Sequence, residues 1–173
     1  MKRFTDIKPK TKVRKIFEQE ENELKPLKQD NLLEDPTKVE KSEPVKFFSK
    51  LFESREMAHM FHLRSQGDGS FAAHLALQEY YEGDDEGEGG ILDLIDDLVE
   101  VYQGQYELIE GWDNIDKDIN SDVQPVQYFI ELAEFVKRTR YSAILEEDAH
   151  LQAIIDEVLI VIYKLIYKLR FLK

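Results

Sequence analysis

The chain has 173 residues and a formal net charge of -13, with 42% hydrophobic and 34% charged residues, Gly 8, Pro 5 and Cys 0. That length accommodates one domain with a real core plus an appendage, and a charged composition poor in glycine and proline favours long helices over a turn-rich β fold. The absence of cysteine excludes disulfides, thiolate metal sites and a cysteine nucleophile.

The opening stretch MKRFTDIKPKTKVRKIF has no apolar core of the kind a secretory signal needs. Val158 to Tyr163 is the longest apolar run, and Lys164 interrupts it far short of a bilayer span. A soluble, cytoplasmic protein without membrane partners is expected, with association with a virion as the alternative location.

Charge is unevenly distributed. Residues 1–46 carry 12 Lys/Arg against 10 Asp/Glu, whereas residues 47–173 carry 11 against 26. With Pro9, Pro26, Pro36 and Pro44 and few apolar side chains, residues 1–45 read as an extended or disordered arm, basic at its start. Lys2, Arg3, Lys8, Lys10, Lys12, Arg14 and Lys15 suit DNA phosphates without any base-reading motif, so binding there would be sequence-independent. An arm that orders on a protein partner and an unstructured solubilising tail are the other two readings.

From residue 46 helical periodicity begins. A first helix over roughly 46–65 places Phe48, Phe52, Arg55, His59 and His62 along one stripe. Gln66-Gly67-Asp68-Gly69 ends it, and Ser70 is the natural N-cap of a second helix with Phe71, His74, Gln78 and Tyr81 on one face. The acid- and glycine-rich stretch GDDEGEGG, residues 83–90, is costly inside a helix, at about 0.8–1.0 kcal/mol per Gly relative to Ala. It reads as an exposed excursion before helix resumes with Ile91, Ile95, Leu98 and Tyr102 inward. Residues 110–124 form a long loop, Pro125 opens a third helix through Phe129, Ile130, Ala133 and Val136, and a fourth runs from about Glu146. Four helices with a long connection between the second and third describe an all-α, ferritin-like antiparallel four-helix bundle over residues 46–173.

In the last helix Ile155, Leu159, Ile162, Ile166 and Leu169, with Tyr163 and Tyr167, read as core packing. Val158, Val161 and Leu165 widen the apolar surface beyond one stripe, as expected of a helix that a neighbouring chain also covers. A homo-oligomer is therefore expected.

Two histidines twelve positions apart, His62 and His74, precede Asp96 and Glu100 four apart. Imidazoles and carboxylates together suit a metal such as iron. The stretch FHLRSQGDGSFAAH resembles the iron-site signature of the Dps mini-ferritins, and DDLVEVYQG is similar to that family's Asp-x-x-x-Glu segment. The resemblance covers about residues 46–172, and YYEG and LIDDLVEVYQG are further similar to Dps-like proteins encoded by tailed bacteriophages. It implies a ferroxidase-like protein in which Fe(II) is held between chains, His62 and His74 from one and Asp96 and Glu100 from its twofold mate. It also implies oxidation of that iron, by peroxide in preference to O2, and storage of the ferric product in a dodecameric shell.

Leu63 stands where the family usually has Trp, and the His74 to Asp96 separation exceeds the family pattern by the length of the DDEGEGG excursion. If the excursion loops out, the helix phase is kept. A rival scheme uses two Glu-x-x-His pairs, Glu56/His59 and Glu147/His150, with Glu23 and Glu100 as further carboxylates of a larger di-iron bundle. The non-metal alternative is a structural component of a larger assembly such as a phage particle, with the bundle as scaffold and the arm as partner-binding segment.

Overall fold

The computed structural model describes residues 42–83, 89–112 and 123–172, so the arm, save its last residues, lies outside the described part. Most of the described residues lie in five helices: α1 (Glu43–Arg64), α2 (Ser70–Glu82), α3 (Ile91–Gln105), α4 (Pro125–Ala143) and α5 (Ala149–Phe171). Among the described residues there is no strand, only an isolated bridge between Gly83 and Gly89. The all-α expectation holds.

The local chemistry explains most boundaries and shifts a few. α1 begins three residues before the expected start because Pro44 sits in its first turn, where a missing N–H costs nothing and the fixed φ fits. Ser70 does not cap α2 from outside. It is the first helical residue, and Gly69, at φ 77°, occupies the N-cap position in a left-handed conformation suited to glycine. Gly67, at φ 89°, turns the chain just before it, and its carbonyl accepts from the Ser70 N–H at 3.1 Å. α5 starts at Ala149, three residues later than expected, and Asp148 at its N-cap position makes no side-chain cap because its carboxylate accepts from Gln105 and Tyr106 instead.

The two ends of the 83–90 stretch meet at one place. Gly83 and Gly89 face each other across the bridge. A Cβ on Gly90 would lie 2.7 Å from the Gly83 backbone nitrogen, so the end of α2 and the start of α3 abut too closely for a side chain. Residues 84–88, the rest of that expected excursion, lie outside the described part, as do residues 113–122 of the expected long loop.

α2 and α3 both pack against α1 on one side and α5 on the other, while α4 packs against α1 and α5. Between them lies a core of Phe48, Leu51, Leu77, Ile91, Ile95, Leu98, Phe129, Leu132, Ile155 and Ile162, all essentially without exposure. Burial of each such side chain contributes roughly 1.5–3 kcal/mol. Ile155, Ile162 and Ile166 are buried as expected, but Tyr163 and Tyr167 are exposed. The three-sided contact of α5 with α2, α3 and α4 leaves them on its outer side. Among the described residues no helix is long and apolar enough to cross a membrane.

Two polar clusters fix the helices relative to one another. The Arg140 guanidinium on α4 donates from Nε to Gln152 Oε1 at 2.7 Å, from one terminal nitrogen to the Gln152 carbonyl at 2.9 Å and from the other to Asp156 Oδ1 at 2.6 Å. Gln152 Nε2 donates in turn to the Ile144 carbonyl at 3.0 Å. At the other cluster, Gln105 and Tyr106 at the end of α3 both donate to the Asp148 carboxylate ahead of α5, at 2.7 and 2.5 Å.

Candidate functional site

The last turns of α1 and the first turns of α2 run back past each other because the turn at residues 65–69 is short. That turn brings together two of the four expected ligands. The His62 and His74 rings stack with centroids 3.6 Å apart and planes 29° apart. His62 Nδ1 lies 3.1 Å from the His74 carbonyl oxygen. A carbonyl only accepts, so Nδ1 is the donor, and the uncharged ring in this tautomer has its lone pair on Nε2. Ligating histidines are commonly held this way, the hydrogen bond at one nitrogen fixing the tautomer that frees the other.

His62 is buried and His74 half-buried. Tyr81, a further two turns along α2, stands edge-on to His62 with centroids 5.4 Å apart and lies 4.7 Å from the ring of His59. Arg55 sits over the Tyr81 ring, 5.6 Å from its centroid, and donates to Glu56 at 2.6 Å. Burial pushes the Tyr81 phenol up, Glu82 adds to the rise, and Arg55 offsets part of it. Tyr81 therefore stays a neutral, aromatic wall beside the histidines at ordinary pH.

Asp96 and Glu100 do not join this pair. Both are exposed on α3, one helical turn apart on a common face. Among the described residues no group of three or more His, Asp or Glu side chains is placed to hold a metal ion. A single chain thus presents two imidazoles in one place and a carboxylate pair in another.

The rival di-iron scheme finds less support. Its motif requires Glu-x-x-His pairs projecting into a shared interior. Glu147 and His150 are exposed, His150 is hydrogen-bonded to Gln105 Oε1 at 2.8 Å, and the Glu56 carboxylate is taken by Arg55. α1 and α5, which carry His59 and His150, do not pack against each other. Glu23 lies outside the described residues.

Sequence reasoning missed Arg55 and Tyr81 as neighbours of the histidines in a joint cluster. The signal was present, since both fall on the two helix faces already singled out, but the pairing of those faces across the turn could not be read from either helix alone.

The described residues define an all-helical protein with a stacked histidine pair at one helix turn, in which His62 donates from Nδ1 to the His74 carbonyl. The chain belongs to a family described as "Family of unknown function (DUF5856)", whose model matches residues 62–169 and so takes in His62, His74, Asp96 and Glu100. No curated protein and no solved structure matches the chain.

Proposed function

We propose that this protein is a Dps-like subunit of the ferritin type that binds Fe(II) and oxidises it at a site shared between copies in a homo-oligomer, with dodecameric closure as the family resemblance implies. His62 and His74 of one chain supply the imidazoles, and Asp96 and Glu100 of another supply the carboxylates. The observation that carries this reading is the hydrogen bond from His62 Nδ1 to the His74 carbonyl, which leaves Nε2 as a donor atom for a metal. The exposure of Asp96 and Glu100 on one face of α3 leaves both available to a neighbouring copy. The packing of α2 and α3 in the same position between α1 and α5 fits a four-helix bundle whose second helix is interrupted.

Iron is the substrate here. Carboxylate oxygens favour Fe(III) over Fe(II), which lowers the cost of removing an electron, while neutral imidazole admits the ferrous ion. Each Fe(II) gives up one electron, and a peroxide accepts two electrons and two protons to leave as water. The acidic body, with 26 Asp/Glu against 11 Lys/Arg in residues 47–173, raises the local cation concentration. The stacked rings must splay so that a His74 nitrogen converges with His62 Nε2, a motion that half-buried His74 can make by rotamer change.

A second reading rests on that same stack. Rings packed face to face are already partnered, and a bundle retained as the scaffold of a larger assembly such as a phage particle, with its arm as the partner-binding segment, needs no metal. Leu63, Phe71 and Leu75, exposed beside the pair, suit such contacts. Oxidation of Fe(II) by the native protein, compared with H62A/H74A and D96A/E100A, separates the readings. The ferroxidase reading expects native rates above buffer and equal losses in the two double variants. Native rates equal to buffer would establish the scaffold.

A further inference from the structure

We propose that the outer face of α5 pairs with the same face of a second copy of this chain, antiparallel, about a twofold axis through Ile160. This surface is separate from the histidine pair, since it is the exposed side of α5, turned away from α2, α3 and α4, and the inference does not depend on iron chemistry.

Ile160, Tyr167 and Phe171 are 53%, 57% and 63% exposed, although they belong to one of the most apolar helices of the chain. With exposed Ala149 and Ala153 they form a single stripe, because separations of four, seven and eleven residues return to nearly the same side of a helix. The stripe is graded in size. Its first half presents the small side chains Ala149 and Ala153, and its second half the large rings of Tyr167 and Phe171. The gradation is centred on Ile160. Ala153 and Tyr167 lie seven residues to either side of it, and Ala149 and Phe171 eleven to either side.

A second α5 laid antiparallel with its Ile160 opposite the first therefore sets each ring against an alanine. Tyr167 meets Ala153 at about 10 Å from the axis and Phe171 meets Ala149 at about 16 Å, at a rise of ~1.5 Å per residue. A parallel arrangement would oppose ring to ring and alanine to alanine, leaving a gap at one end and a clash at the other.

Charge points the same way. Exposed Glu157 and Lys164 flank the stripe on a common side, since a separation of seven residues is nearly two full turns. In the antiparallel pair Glu157 of each copy comes within one residue, ~1.5 Å along the axis, of level with Lys164 of the other, close enough for two ion pairs related by the axis. Beyond Ile160 towards the C-terminus the described part of α5 carries Lys164, Lys168 and Arg170 and no acid, while Asp156 and Glu157 lie before it. A parallel pair would place like charges together.

The chain has no cysteine, so a single introduced thiol reports contact directly. In the full-length protein under mild oxidation, Ile160→Cys should form a covalent dimer. Ala153→Cys should not cross-link to itself, its copies lying ~20 Å apart on opposite sides of the axis, well beyond the Cα separation of about 7 Å that a disulfide spans. A mixture of Ala153→Cys and Tyr167→Cys should cross-link to each other. Self-linking of Ala153→Cys, or monomeric Ile160→Cys with helical content intact, would overturn the pairing. Independently of thiols, sedimentation of Glu157→Lys and Lys164→Glu should show dimer dissociation constants raised roughly tenfold in each. The E157K/K164E double variant should return to the native value, and a native monomer or a double variant as weak as the singles would refute the register.

Discussion

Replacement of Arg140 by Ala tests the strongest polar link between α4 and α5. The buried guanidinium bonds to both the side-chain oxygen and the carbonyl of Gln152, at 2.7 and 2.9 Å. Hydrogen bonds from a charged donor contribute roughly 1.5–3 kcal/mol each, and an acceptor left buried without a partner costs a further share. The third contact, to Asp156, is worth less. The Arg140 side chain is 11% exposed but that of Asp156 is 63% exposed, so solvent screens the pair and its contribution is about 0–1 kcal/mol. The sum, discounted because the two Gln152 bonds share one residue, is about 3 kcal/mol. For a body of this size that corresponds to a fall in Tm of roughly 10 °C.

The same ledger ranks the variants. Asp156→Ala should lose under about 1 kcal/mol. Arg140→Lys should remain close to Arg140→Ala, because an ammonium cannot reproduce the fork that spans Gln152 and Asp156. Urea unfolding followed by far-UV circular dichroism measures all three, with an unchanged slope confirming that only stability has moved. An Asp156→Ala loss equal to that of Arg140→Ala would show that the ion pair, not Gln152, is what Arg140 serves.

Three further outcomes are expected. Gly104→Ala should raise stability by about 0.5–1 kcal/mol, since the residue lies within α3 with nothing within 4 Å of the added Cβ, whereas Gly90→Ala should lower Tm because its Cβ meets backbone atoms of Tyr81, Glu82 and Gly83. Tyr80→Phe should cost about 1 kcal/mol in thermal unfolding, because the fully buried phenol, pushed well above its usual range by desolvation, loses its bond with Ser54 Oγ at 2.8 Å. Hydrogen bonds from Tyr106 and then Gln105 hold the Asp148 carboxyl below its ordinary value, so its contribution is present above the unfolded-state pKa and is lost as pH falls through the folded one. Tyr106→Phe should therefore move the midpoint of acid unfolding to higher pH, and an unmoved midpoint would remove Asp148 from the acid response.

Helix positions were legible because the apolar spacing and the punctuation by Gly67, Gly69, Gly83 and Pro125 agree with each other. Their finer edges were not. Pro44 looked like the end of a linker, but proline is equally at home in a first helical turn, and only the packing of Val45 and Phe47 decides between the two. In α5 apolar residues surround the axis, so periodicity could not say which side faces inward. Spacing alone puts Tyr163 and Tyr167 among the core positions, whereas contact with α2, α3 and α4 selects the face of Ile155, Val158, Ile162 and Leu165.

The histidine pair was legible for a local reason. A turn of five residues between two helices brings positions twelve apart, here His62 and His74, close together whatever the other helices do. Asp96 and Glu100 could be placed on one helix face but not related to the histidines, because the glycine- and acid-rich residues 83–90 break the periodicity between them and any second copy enters that relation. The Asp148 and Arg140 clusters join residues far apart in sequence or on separate helices, and no local pattern announces them.

Anaerobic titration of Fe(II) into the full-length oligomer, followed by addition of substoichiometric peroxide, tests the iron reading most directly. The account predicts saturable ferrous binding at one site per chain, oxidation faster than in buffer, and loss of both in H62A/H74A and in D96A/E100A while the helical content and oligomer size persist. Binding that survives both double variants, or native oxidation no faster than in buffer with the oligomer intact, would contradict it.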